Sequence, residues 1–152
     1  MGLDMFLNAT RYLSNYKDAD KQKKEEMLKT FPELKAYLAE ENPIKEAKAE
    51  VGYWRKANQI HAWFVENIQE GEDDCKSYYV SREKLQELKN LCRQVLEDKS
   101  LADKLLPTQS GFFFGGTEYE EYYFVDLRKT IEIIDNALAL PEDWSFEYQS
   151  SW

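Results

Sequence analysis

The chain has 152 residues, 43% of them apolar and 14% aromatic, with 29 acids against 20 bases for a net charge of −9. A chain this long is expected to form a single domain over residues 1–152 that buries roughly 70% of the surface its unfolded form exposes, and the apolar content suffices for a core, which excludes a disordered chain. The acidity argues against nucleic acid as a partner, because affinity for phosphates rests on cations that displace counterions.

The charge is uneven. Residues 1–56 carry 11 bases and 10 acids, whereas residues 57–152 carry 9 bases and 19 acids. Such a surface favours solubility and basic partners. No run approaches the roughly 20 apolar residues of a membrane helix, and Met1-Gly2-Leu3-Asp4-Met5 lacks the basic and apolar regions of a secretory leader. Gly2 does not complete a myristoylation pattern, since Phe6 stands where Ser or Thr is needed. Cys75, Cys92 and the single His61 supply neither a zinc spacing nor a disulfide framework. These features lead us to expect a cytoplasmic protein with no membrane contact, no cofactor and no metal.

In chain order, Leu3, Met5 and Leu7 alternate with polar neighbours and predict a strand. Residues 19–38 place Met27, Leu28, Phe31, Leu34 and Leu38 at helical spacing, and Pro32 divides the segment into two short helices. Residues 44–51 fit a strand or a frayed helix. After Gly52, the spacing of Trp54, Ala57, His61, Phe64, Val65 and Ile68 predicts a helix to about Gln69. An acidic loop at residues 70–74 leads to a short β-prone run at residues 78–80. Ser81 is placed to cap a helix with Leu85, Leu88, Cys92 and Val95 on its apolar face. Residues 101–106 suit one further turn before Pro107, and Thr108-Gln109-Ser110-Gly111 reads as a turn into Phe112-Phe113-Phe114. Thr117 and Glu120 have the spacing of a capping box for the longest helix, with Tyr123, Leu127, Ile131, Ile134 and Leu138 as its core face and Pro141 as its stop. Trp144, Phe146 and Tyr148 then alternate with polar residues as a terminal strand. The expected fold is α+β and helix-rich, with four or five helices packed on a small, mainly antiparallel sheet that includes both terminal segments.

Three stretches are distinctive: Gly-Leu-Asp-Met-Phe-Leu at residues 2–7, Glu-Val-Gly-Tyr-Trp-Arg-Lys-Ala-Asn-Gln-Ile-His-Ala-Trp-Phe at residues 50–64, and Leu-Leu-Pro-Thr-Gln-Ser-Gly-Phe-Phe-Phe-Gly at residues 105–115. In these the chain resembles a group of small uncharacterised proteins carried by bacteriophages and bacterial genomes. The resemblance implies an origin in a phage or prophage and action inside a bacterial host cell. It implies no activity and no catalytic residue.

Two sites are candidates. On the helix expected after Gly52, the i, i+4, i+7 spacing of Trp54, Asn58 and His61 gathers an indole, an amide and an imidazole, and with Arg55 and Gln109 these could orient a small, nucleotide-like ligand. The bland alternative is that Asn58 and His61 are buried and tie the helix to a loop such as residues 108–111. The second candidate is an aromatic tail, Trp144, Phe146, Tyr148 and Trp152, that would contact a host protein or a second copy of the chain, against core packing as the alternative. A Cys75–His61 dyad is a poor nucleophile, since Glu70, Glu72, Asp73 and Asp74 oppose a thiolate. Gly115-Gly116-Thr117 is a poor phosphate cradle, because Glu118, Glu120 and Glu121 fill the turn beside it. The same acids could hold a divalent cation with Asp126 or another carboxylate brought near by folding, but no convergent set of oxygens is evident in the sequence. The favoured expectation is a non-enzymatic phage or prophage accessory protein that binds a host protein or itself; a small-molecule binder and a small enzyme using His61 are the alternatives.

Overall fold

A computed structural model of the protein describes residues 2–37 and 41–152. The first strand, β1 (Asp4–Tyr12), runs beyond the apolar alternation that announces it, with Met5, Leu7 and Ala9 buried and Asp4, Phe6, Asn8 and Thr10 half-buried on the opposite face. Helix α1 (Asp18–Thr30) stops just ahead of Pro32, whose ring removes a donor and crowds the preceding turn, and a 3-10 helix follows at Pro32–Tyr37. Leu38, expected on the second of these helices, lies outside the described residues.

The stretch that could be strand or helix is strand, and it extends further than expected: β2 covers Glu46–Arg55 and pairs antiparallel with β1 from Tyr12↔Glu46 to Asp4↔Arg55. This corrects the placement of Trp54 on a helix. Helix α2 begins only at Asn58 and ends at Asn67, so Trp54 precedes it on β2, separated by a sharp turn in which Lys56 has φ 57°. Nine ladder pairs with β1 and burial of the indole against Phe64 outweigh a helical spacing that was coincidental. The Trp54 Nε1–H donates to Thr130 Oγ1 at 2.9 Å.

Strand β3 (Tyr78–Val80) is followed by α3 (Arg82–Glu97), capped as anticipated: Ser81 Oγ accepts from the Lys84 N–H at 3.1 Å. A 3-10 turn (Lys99–Leu101) and α4 (Ala102–Leu105) lead to the long α5 (Glu121–Leu138), then to β4 (Ser145–Ser151). The proposed capping box is not formed. The N-cap of α5 is Glu120, without a side-chain cap, and the Thr117 carbonyl instead accepts from Thr108 Oγ1 at 2.9 Å, which ties residues 117–120 into the preceding loop.

The four strands form one sheet in the order β2-β1-β4-β3, with every neighbouring pair antiparallel, so the two terminal strands lie at its centre. The fold is α+β, with helix exceeding strand. Helices α2, α3 and α5 bury the inward face of the sheet around Leu7, Phe64, Leu88, Leu127, Ile134 and Phe146. Gly52 lets α5 approach β2: a Cβ there would fall within the van der Waals envelope of Ile133 Cγ2 and 3.3 Å from Leu7 Cβ. A separate small cluster of Leu13, Leu28 and Ile44 seats α1, and Arg11 ties it down through Asp20 at 2.9 Å and Asp143 at 2.8 Å.

Candidate functional site

The three distinctive stretches meet at one end of the sheet. Leu3 accepts from the Lys56 N–H at 2.8 Å and donates its own N–H to the Phe113 carbonyl at 3.4 Å. Asn58 completes the junction with its whole amide: Nδ2 donates to the carbonyls of Phe114 (3.0 Å) and Gly116 (2.9 Å), and Oδ1 accepts from the Gln109 N–H (3.0 Å). Gly115, at φ 88°, faces Lys56, where a side chain would meet left-handed strain and the Lys56 backbone. The loop at residues 108–116 is therefore held by backbone from the start of β1 and by a buried amide at the start of α2.

What that loop presents is apolar. Phe112 is 83% exposed and Phe113 44% exposed, their rings in edge contact with centroids 4.3 Å apart, and Phe113 sits at φ 66°. Beneath this crest, Phe114 is buried and packs edge-on against His61 at 5.5 Å and Trp152 at 6.1 Å. His61 is fully buried. A carboxylate only accepts, so Nε2 carries the hydrogen toward Asp73 Oδ2 (2.9 Å), and Nδ1 shares a hydrogen bond with the Tyr148 hydroxyl (2.6 Å). Burial, then the nearby Asp73 charge, holds that hydroxyl far above its ordinary range, so it keeps its proton. Tyr148 stacks on Phe64 at 3.9 Å, and Asp73 Oδ1 accepts from Trp152 Nε1–H at 2.9 Å. This line of side chains joins the crest to the core.

Beside the loop is a cleft of about 330 Å³ between the β2–α2 turn and the first turns of α5. Its walls carry Arg55, Lys56, Glu118, Glu120, Tyr122 and Asp126. Burial pushes the Asp126 carboxyl up to about 6, offset in part by the Gln59 amide and the Lys129 ammonium.

The expected ligand set is thus divided. Arg55, bonded to Asp4 at 2.8 Å, and Asn58 line the cleft, but Trp54 is a core residue, His61 faces Asp73 and Tyr148, and Gln109 contributes its backbone to the Asn58 junction. The bland reading holds for Asn58, which does tie its helix to residues 109–116. Of the aromatic tail, Phe146 and Tyr148 are buried in the core and unable to meet a partner, Trp144 is half-buried beside α1, and Trp152 is 55% exposed. The Cys75–His61 dyad is not assembled, because both imidazole nitrogens are engaged elsewhere. Burial pushes the Cys92 thiol up to about 12, in keeping with an inert core residue. Gly116 turns its carbonyl toward Asn58, five residues ahead of α5, so no phosphate cradle forms at that helix. Asp73 and the Phe112–Phe113 crest were not anticipated as a site, and Asp126 only as a carboxylate that could join a cation site; the Phe-Phe-Phe run after a turn was the one signal of the crest. The chain matches no protein-family model, no curated protein and no solved structure.

Proposed function

We propose that this is a non-enzymatic binding protein whose Phe112–Phe113 crest docks into an apolar pocket of another protein, one rimmed by Lys and Arg. The observation that carries this reading is the exposure of two adjacent phenyl rings on a loop fixed from below by Leu3, Asn58 and Phe114. Rigid aromatics lose little entropy on docking and contribute disproportionately to interfaces. Glu118, Glu120 and Glu121 follow the crest closely in the chain, which favours a basic rim on the partner and a fast, steered encounter. The likeness to phage and prophage proteins points to a bacterial host protein as the partner.

The test is a pull-down from bacterial lysate with the wild type and the Phe112→Ala/Phe113→Ala variant side by side. The reading expects a partner held by the wild type and lost by the variant, with retention declining from roughly 50 to 300 mM NaCl. A partner held equally by both proteins, or none held by either, would sink it.

A second reading, a small polar ligand in the cleft beside the loop, draws on the part-buried Asp126. Three carboxyls there disfavour a phosphate-bearing, nucleotide-like molecule. Native mass spectrometry would reveal such a ligand as a retained mass that disappears in an Asp126→Ala variant.

A further inference from the structure

Strand β2 ends the sheet, with β1 on one side and, among the described residues, no strand on the other. Its first half is open: Glu46, Lys48, Ala49 and Glu50 are exposed and Ala47 is half-buried, while Lys129 reaches the second half at the Tyr53 ring. The Leu13 N–H bonds the Lys45 carbonyl, which sets the alternation of the ladder. Residues 45, 47 and 49 therefore direct their backbone groups to β1, and Glu46, Lys48 and Glu50 direct theirs outward. Among the described residues no hydrogen bond from the chain reaches these outward groups. A bulge opposite Leu7 and Asn8 ends the open segment.

We infer that this edge pairs with the same edge of a second copy, antiparallel about a two-fold axis through Ala49, to give a continuous eight-stranded sheet. The occupant follows from register and charge. In a two-fold pairing, outward residues must meet outward residues, so even numbers face even numbers and the axis passes through residue 47, 48 or 49. An axis at residue 48 sets Lys48 against Lys48 and Glu46 against Glu50, which like charges forbid. An axis at residue 47 sets Ile44 against Glu50, but the Ile44 N–H is already bonded to Asn42 Oδ1 at 3.0 Å.

An axis at residue 49 avoids the like charges and keeps two bonded pairs, and the bulge removes only its outermost partner, since Glu46 falls opposite Gly52, which turns its backbone to β1. Lys48 faces Glu50 of the second copy, and Glu50 faces its Lys48, each pair exchanging both backbone bonds. On the inward face Ala49 meets Ala49 and Ala47 meets Val51, all apolar, whereas an axis at residue 47 would set Lys45 against Ala49. Edge strands are commonly guarded by charges that repel a second strand; the alternation Glu46, Lys48, Glu50 is instead self-complementary at this register. Lys48 also pairs with Glu147 across β1, which holds its ammonium over the sheet.

The contact is short, so the dimer is expected to be weak and concentration-dependent. Sedimentation of the full chain from about 10 µM to about 1 mM reads it directly. The wild type should pass from monomer to dimer across that range. Glu50→Lys, which touches no ion pair among the described residues, should weaken dimerisation by about tenfold or more while keeping the wild-type melting temperature; Lys48→Glu, which also breaks the pair with Glu147, should weaken it as much with a small loss of melting temperature. Mixing those two variants should restore association as a heterodimer. A wild type that stays monomeric throughout, or a dimer indifferent to both substitutions, overturns the inference; loss with Glu46→Lys but not with Glu50→Lys overturns the Ala49 register. Phe112→Ala/Phe113→Ala should leave the dimer intact, so failure of the edge contact and failure of the crest are distinguishable.

Discussion

Asp126 is one side chain whose environment is at odds with its charge. Burial favours the neutral acid and raises the folded carboxyl to about 6, against about 3.9 for an unfolded Asp. Between those values the folded state binds the extra proton, so the contribution of this group is fully present below about pH 4 and is lost as pH rises through about 6. Above that, the native state holds a partly desolvated carboxylate. The expected outcome for Asp126→Asn is a higher urea midpoint than the wild type at about pH 8 and little difference at about pH 4. Equal midpoints at both would mean that Gln59 and Lys129 already compensate the carboxylate in full. Nothing in the sequence marked this residue as buried, since its burial depends on how the turn after β2 sits against α5. Asn58 was legible because an amide among apolar residues at a helix start must find partners, and the turn at residues 108–111 was a plausible source of them. The partners of His61 were not: Tyr148 lies 87 residues away, and no local pattern signals that closure.

Local signals sufficed for elements whose boundaries local chemistry sets. Period-two alternation marked β1 and β4, Pro32 ended α1, and Ser81 capped α3. They failed where a neighbour decides. β2 and α2 abut with only Lys56 and Ala57 between them, so one apolar periodicity ran across both, and pairing with β1 separated them. Thr117 and Glu120 had the spacing of a cap, but Thr108 claims the Thr117 carbonyl and α5 starts later. The contact between β2 and α5 depends on the missing side chain of Gly52. Gly52→Ala should therefore cost about 1–3 kcal/mol through overpacking against Ile133, in chemical denaturation. The shortened Ile133→Ala should recover part of that loss in the double variant, a coupling that two independent sites would not show.

At the scale of the whole molecule, two opposing electrostatic effects make separable predictions. The chain carries a net charge of −9, concentrated in residues 57–152, and compacting like charges destabilises the folded state. Against this stand surface ion pairs such as Lys84–Glu87 and Arg128–Glu121, each worth about 0–1 kcal/mol where exposed. Self-repulsion among so many acids outweighs a few exposed pairs, so raising NaCl from about 20 to about 500 mM should raise the melting temperature by about 2–5 °C. Binding of a basic partner at the crest should respond with the opposite sign, because the same screening removes the attraction that steers it. Both are read from one salt series, by thermal denaturation of the free protein and by the amount of partner retained. A melting temperature that falls with salt would mean that ion pairs, chiefly the Arg11 link to Asp20 and Asp143, dominate the charge balance of the fold. A partner whose retention rises with salt would instead be held by the phenyl rings alone, and the acids beside them would serve solubility and not recognition.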